Sequence, residues 1–122
     1  MLLVTASSSA MAAWVKVSTF IVGISGYVTA YADPDTTPKY GSMVKMWELY
    51  DSKRPDSSNT SSKKRVEYDC KKERFQQLYA TYYSESMGKG EVLMSVSDPK
   101  QWEPVAPGTI NKKMWTFACK NR

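Results

Sequence analysis

Lys63–Val96 reads KKRVEYDCKKERFQQLYATYYSESMGKGEVLMSV. From Lys63 to Lys71 it alternates as a β-strand does: Val66, Tyr68 and Cys70 point one way, and Arg65, Glu67, Asp69 and Lys71 point the other. That pattern predicts a strand with one apolar and one wet face. The next run, KERFQQLYATYYSESM, is ambiguous, because Phe75, Leu78, Tyr79 and Tyr82 fall at helical spacing. Met87-Gly88-Lys89-Gly90 is a turn, and Glu91–Ser97 is a strand with Val92, Met94 and Val96 on one side. A turn this tight is easiest to build between antiparallel strands, which favours a strand over Arg74–Ser84.

Upstream, Trp14–Phe20 alternates as a strand, and Gly23 and Gly26 break the run Ile21–Gly26 into a turn or bulge. Tyr27–Ala32 is rich in β-formers. It ends at Asp33–Pro38, where two prolines cannot sit in a central ladder. Met43–Asp51 (MVKMWELYD) carries large apolar groups on both faces, so it belongs in a central, covered position. Ser52–Ser62 is the longest polar stretch and reads as a mobile loop between strands.

Downstream, Asp98–Gly108 holds Pro99, Pro104 and Pro107 and reads as loop, with Trp102 at a core edge. Thr109 is a suitable N-cap. Ile110, Met114, Phe117 and Ala118 then form the apolar face of a helix that ends near Lys120 and is about 16 Å long. Lys120 and Arg122 lie at its C-terminus, where the helix dipole favours cations.

Met1–Ala12 (MLLVTASSSAMA) has no charged side chain. Leu2, Leu3 and Val4 resemble the end of an apolar signal segment, and Ala10-Met11-Ala12 has the small-x-small form that signal peptidase requires. The expectation is cleavage after Ala12. A positive n-region is missing, so this stretch reads as the remnant of a longer leader. It is too short to span a membrane, which takes about 20 residues.

The chain has 122 residues, 42% of them apolar and 12% aromatic, which suits one domain with a buried core, spanning 13–122. Its net charge of +5 lies within the ordinary range for a soluble domain and points weakly to acidic partners. There is no histidine, which removes the commonest general base and the commonest transition-metal ligand together. In an exported protein, two cysteines are most often bonded to each other. Cys70 and Cys119 fit that reading; two free thiols or a redox pair are the alternatives, the latter without a Cys-x-x-Cys motif or an activating histidine.

Little in the chain suggests chemistry. Glu67 and Asp69 share a strand face, but Arg65 and Lys71 beside them favour a solvated salt-bridge ladder, and Glu48 and Asp51 follow the same logic. There is no G-x-S-x-G, no phosphate-cradling glycine loop and no zinc or calcium cluster. The expectation is a non-enzyme with no catalytic residue, no metal and no cofactor. Binding is the better class. Lys63, Lys64 and Arg65 form a basic cluster across the loop from Lys53 and Arg54, and such a cluster can attract an acidic glycan or protein patch. A solvated strand start has the same composition. Tyr79, Tyr82 and Tyr83 can stack on a ligand or line a core.

Met46-Trp47, Tyr68-Asp69-Cys70, Tyr83, Met87-Gly88-Lys89-Gly90, Trp102, Pro107-Gly108-Thr109 and Cys119, in this order and spacing, resemble the surface-adhesin protein E-like family of small exported bacterial proteins. The match runs from about Ala13 to Lys120. The resemblance implies an α+β fold: a curved antiparallel sheet of about six strands, with the C-terminal helix packed on its concave side. It also implies a Cys70–Cys119 bond and a strand over Arg74–Ser84. The family's namesake is a lipid-anchored adhesin that binds host glycoproteins, whereas this chain has no lipobox cysteine. The implied role is a non-catalytic binding domain, periplasmic, secreted or at the cell surface, with a protein or glycoprotein ligand and no nucleic acid or membrane span. The alternative is a periplasmic structural or stress-related protein whose partner lies inside the envelope. An exposed sheet edge also leaves pairing with a second copy, a homodimer, open.

Overall fold

The computed structural model describes residues 14–34, 39–56 and 58–120. The expected leader lies outside them. The middle of the sheet is the pair β4 (Met43–Lys53) and β5 (Thr60–Asp69), joined antiparallel through ten residues from Met43↔Asp69 to Ser52↔Thr60. On one side of this pair lie β2 (Gly26–Asp33) and, at the edge, β1 (Val15–Val22). On the other side lie β6 (Arg74–Tyr83) and β7 (Val92–Val96). Two short strands complete the sheet: β3 (Lys39–Tyr40) pairs with β4, and β8 (Glu103–Pro104) pairs with β6. Every pairing is antiparallel.

Helix α1 (Ile110–Lys120) covers one face. Thr109 caps it: its Oγ1 accepts the Lys112 N–H at 3.2 Å, and its own hydroxyl donates to the Ala106 carbonyl. Met114 and Ala118 are its buried residues. They meet Ala30 and Ala32 of β2, Val44 and Met46 of β4, and Val66 and Tyr68 of β5. Alanines on β2 leave the room that a helix needs to approach a sheet closely. The Trp115 indole N–H donates to the Asp69 carbonyl at 3.0 Å, at the end of β5. One residue beyond β5, Cys70 is bonded to Cys119 in the last turn of α1, with Cα atoms 5.6 Å apart.

The six-stranded sheet path, the terminal helix, the disulfide and the strand at Arg74–Tyr83 all match expectation. Three details differ. The loop expected over Ser52–Ser62 shrinks to residues 54–59, because β4 runs on to Lys53 and β5 begins at Thr60. Ser61 and Ser62 are buried, and serine supplies its own hydrogen-bonding hydroxyl there. The tight turn expected at Met87–Gly90 between β6 and β7 is instead part of an eight-residue connection with a 3-10 turn at Ser86–Gly88. Finally, the register slips at Leu78: Arg65 faces Tyr79 but Val66 faces Gln77. Beyond this bulge, alternation puts Tyr79 and Tyr83 on one face of β6 and Tyr82 on the other.

The disulfide closes a separation of 49 residues. In the chain-entropy model such a loop is worth about 4 kcal/mol, through constraint of the unfolded chain. Cys70→Ala with Cys119→Ala is expected to lower the unfolding free energy by that order, seen as a lower denaturant midpoint, and wild-type protein in reductant should shift by the same amount. Equal urea midpoints with and without reductant would show that the bond does not hold the helix on the sheet.

Candidate functional site

Alternation along β4, β5 and β6 divides their side chains between the helix face and a far face. On the far face a row runs across three strands: Trp47, Arg65 and Tyr79, in register. The Arg65 guanidinium carbon lies 5.2 Å from the Trp47 ring centre, and the Trp47 and Tyr79 rings meet edge to face at 5.4 Å. Neighbouring strands are spaced by roughly 4.8 Å, so rings two strands apart touch only by leaning over the residue between them. Partial burial pushes the Arg65 guanidinium pKa down, and the adjacent Tyr79 hydroxyl opposes that shift. Tyr79 remains 40% exposed.

The same chemistry recurs along this face. Lys63 lies over the Tyr83 ring at 5.6 Å, Lys45 over Tyr40 at 5.6 Å, and Arg74 over Trp102 at 4.4 Å. Each cation comes from one strand and each ring from another or from a loop. An ammonium or guanidinium over a ring face is held by the ring quadrupole at about 0.5–1 kcal/mol where exposed. The face is therefore a set of aromatic rings, each with a cation pinned beside it.

The β6–β7 connection closes one end of this face. The Met87 N–H donates to Asp51 at 3.0 Å and the Gly88 N–H to the Ser61 hydroxyl at 2.8 Å. The Ser61 hydroxyl donates in turn to the Glu85 carbonyl at 2.6 Å, and Lys53 donates to the Ser86 hydroxyl at 2.8 Å. Gly88 sits at φ +73°, and a Cβ there would come within 2.6 Å of Lys63 Cε. The glycine thus gives Lys63 its path along the sheet toward Tyr83.

Of the three basic residues singled out in the sequence, Lys63 and Arg65 share the far face and Lys64 points to the helix face. There Lys64 lies 4.7 Å from the Tyr50 ring and opposite Glu48. Burial lowers its pKa, and Glu48 opposes that. The tyrosines divide as well: Tyr79 and Tyr83 belong to the far face and Tyr82 does not. Trp47, Tyr40 and Trp102 carry no sequence signature as partners of cations, because each pair is assembled across strands or loops.

The acidic residues are not a solvated ladder. Glu67 is 8% exposed and Asp69 is 4% exposed. Asp69 accepts Arg74 Nε at 3.1 Å and the backbone N–H groups of Lys71 and Lys72. Burial opposes its ionisation, but these donors outweigh it and hold its pKa below the ordinary value. Glu67 shifts up, through burial and then the Asp69 charge. Glu48, on the helix face, is 1% exposed. It accepts the Tyr50 hydroxyl at 2.6 Å and the Tyr68 hydroxyl. Burial raises its pKa from 4.5 to about 7, against the pull of the two phenols and of Lys64. Burial, with the Glu48 charge, pushes both tyrosines well above their ordinary range. Glu48 and Tyr68 in this cluster are closed off from solvent, while Tyr50 and Lys64 are partly exposed at its rim. The cluster is a polar node in the core. Among the described residues, no group of three or more Cys, Asp or Glu side chains is placed to hold a metal ion.

The chain matches the family model of surface-adhesin protein E over residues 14–120, and it belongs to that family. No curated protein matches it significantly.

Glu48 sets a pH dependence of stability. A carboxyl raised in the folded state contributes stability that is complete below its unfolded value and is lost as pH rises through its folded one. The window runs from 4.5 to about 7. Across it, stability is expected to fall by up to about 3 kcal/mol. Glu48→Gln should make the profile shallower in this window, leaving the slope that the raised Glu67 carries, and be the more stable form at pH 8, by urea unfolding. Asp69 acts in the opposite sense but below its ordinary 3.8, outside the window. Identical slopes for wild type and Glu48→Gln between pH 4.5 and 7 would rule the assignment out.

Proposed function

We propose that this member of the surface-adhesin protein E family is an exported, non-catalytic binding module that engages a protein or glycoprotein through the sheet face opposite its helix. One observation carries this: the far face presents Trp47, Tyr79, Tyr83, Tyr40 and Trp102 with Arg65, Lys63, Lys45 and Arg74 beside them. Aromatic rings and arginine are the residues that dominate binding energy at protein interfaces. Rings held by cations on a β-sheet are already ordered, so little side-chain entropy is lost on binding. A ring face accepts the C–H surface of a sugar, and the cations attract carboxylate or sulfate groups on the same ligand.

Family membership supports the adhesive reading, and the disulfide fits an exported protein. Among the described residues, no helix is long and apolar enough to cross a membrane. Lys63 and Arg65 are the binding part of the basic patch, and Lys64 is the brace of Glu48 behind them. No residue is assigned a catalytic role, and the site needs no cofactor.

The test is surface plasmon resonance against a panel of extracellular glycoproteins, before and after enzymatic deglycosylation. Arg65→Ala and Trp47→Ala are expected to weaken the responding ligand about tenfold each. Lys120→Ala, on the helix, should leave it unchanged, with circular dichroism confirming the fold of each variant. Binding should also weaken as salt rises, since exposed charges are screened beyond about 8 Å at physiological ionic strength. Full binding by both far-face variants would move the site elsewhere. Protease shaving of intact cells adds the compartment: stripping of the protein from whole cells supports adhesion, and protection until the outer membrane is opened points to a partner inside the envelope.

A further inference from the structure

A second surface, separate from the far face, lies where α1 passes the edge strand β1. It is an open groove of about 410 Å³ whose floor includes Val17 and Phe117 and whose walls carry Lys16, Lys112, Lys113 and Lys120. No carboxylate lines it. Of the three ion pairs among the described residues, only Lys112–Glu73 touches it, at 3.1 Å. Lys113 reaches across to the Ser18 hydroxyl at 3.0 Å, which ties the helix to the strand.

The strand beside this groove is the end of the sheet. Among the described residues, β1 pairs with β2 on one side only. Its outer edge presents backbone donors and acceptors to whatever lies alongside, as every edge strand does. Val15, Ile21 and Val22 on it are also exposed. A lysine and a bulge are usual devices against an edge pairing with another chain, and β1 has both at its start, in Lys16 and the register slip between Lys16 and Ser18, beyond which Ser18–Val22 runs in unbroken register. A second copy brings the same lysines to this edge, which opposes self-pairing. An acidic strand meets no such repulsion. A compact anion would use the lysines but not the edge; only a polypeptide uses both.

We propose that β1 and its lysine groove accept an extended acidic segment of a partner protein, which adds as a strand outside β1 with carboxylates toward Lys16, Lys113 and Lys120 and apolar side chains over Val17 and Phe117. Backbone pairing supplies affinity in such strand addition, and the flanking side chains supply selectivity.

The probe is an acetylated, amidated (Glu-Val)4 peptide titrated into ¹⁵N-labelled protein. Shifts are expected in the amides of Val15–Val22 and of the exposed turns of α1. Lys16→Glu with Lys113→Glu should weaken binding at least tenfold, and a fully N-methylated peptide of the same charge should not bind. Trp47→Ala should bind the peptide like wild type, so this result stands or falls apart from the far-face reading. The proposal is overturned if the peptide shifts no amide of β1, if the charge-reversed variant binds equally well, or if the N-methylated peptide binds as tightly as the parent. It is also overturned if the protein self-associates through β1 in sedimentation, since a second copy would then occupy the edge.

Discussion

Among the described residues, a single helix of eleven residues is the one helix that packs on this sheet, and it covers one face. The Cys70–Cys119 bond fastens that helix directly after β5. Without the bond, the helix would rely on Met114 and Ala118, on the partly buried Ile110, Trp115 and Phe117, and on hydrogen bonds from Trp115 to Asp69 and from Lys113 to Ser18. A small domain buries a modest fraction of its surface and has little stability to spare. The covalent link lets the chain use one short helix where a larger domain would use a second layer.

The far face follows from the same economy. With no layer to cover it, that face must be covered by its own side chains. Long cationic chains lying along the sheet do this: their stems shield apolar surface while their charged ends stay wet. Lying down also brings each cation onto a neighbouring ring. Leu49 is completely buried on this face without a helix above it, in the row between Trp47 and Asp51. The β6–β7 connection adds a lid of hydrogen bonds over Asp51 and Ser61. The pairs that stabilise the uncovered face are thus the same ones proposed to meet a ligand. The helix face resolves the opposite problem, because there Glu48 is enclosed with Tyr50, Tyr68 and Lys64 and its carboxyl titrates near neutrality.

Period-two alternation was enough to place Val66 and Tyr68 in the core and to recognise β4 as covered on both faces, since Val44, Met46 and Leu49 are all fully buried. It failed where a property depends on the neighbouring strand. Glu67 and Asp69 looked wet because they are acidic, yet Arg74 and two backbone amides come back from the next turn to enclose Asp69. The helical spacing of Phe75, Leu78, Tyr79 and Tyr82 was an accident of the bulge at Leu78, which shifts the phase of a strand partway along. Three consecutive basic residues formed one cluster along the sequence, but a strand sends its middle member to the opposite face. The cation–aromatic pairs had no signature, because Arg65 and Trp47, or Lys63 and Tyr83, are joined only by register.

That register also explains why β5 is the strand on which both faces depend. Its odd-numbered residues Lys63 and Arg65 reach rings on β6 and β4, while Lys64, Val66 and Tyr68 reach the core node and the helix. A one-residue slip in β5 would exchange these sets, burying Arg65 against Glu48 and exposing Tyr68. The long ten-residue pairing with β4 opposes such a slip, and the disulfide opposes it further by fixing Cys70 to the helix. The bond at the end of β5 therefore constrains more than the helix: by holding the phase of this strand, it helps determine which residues the far face displays.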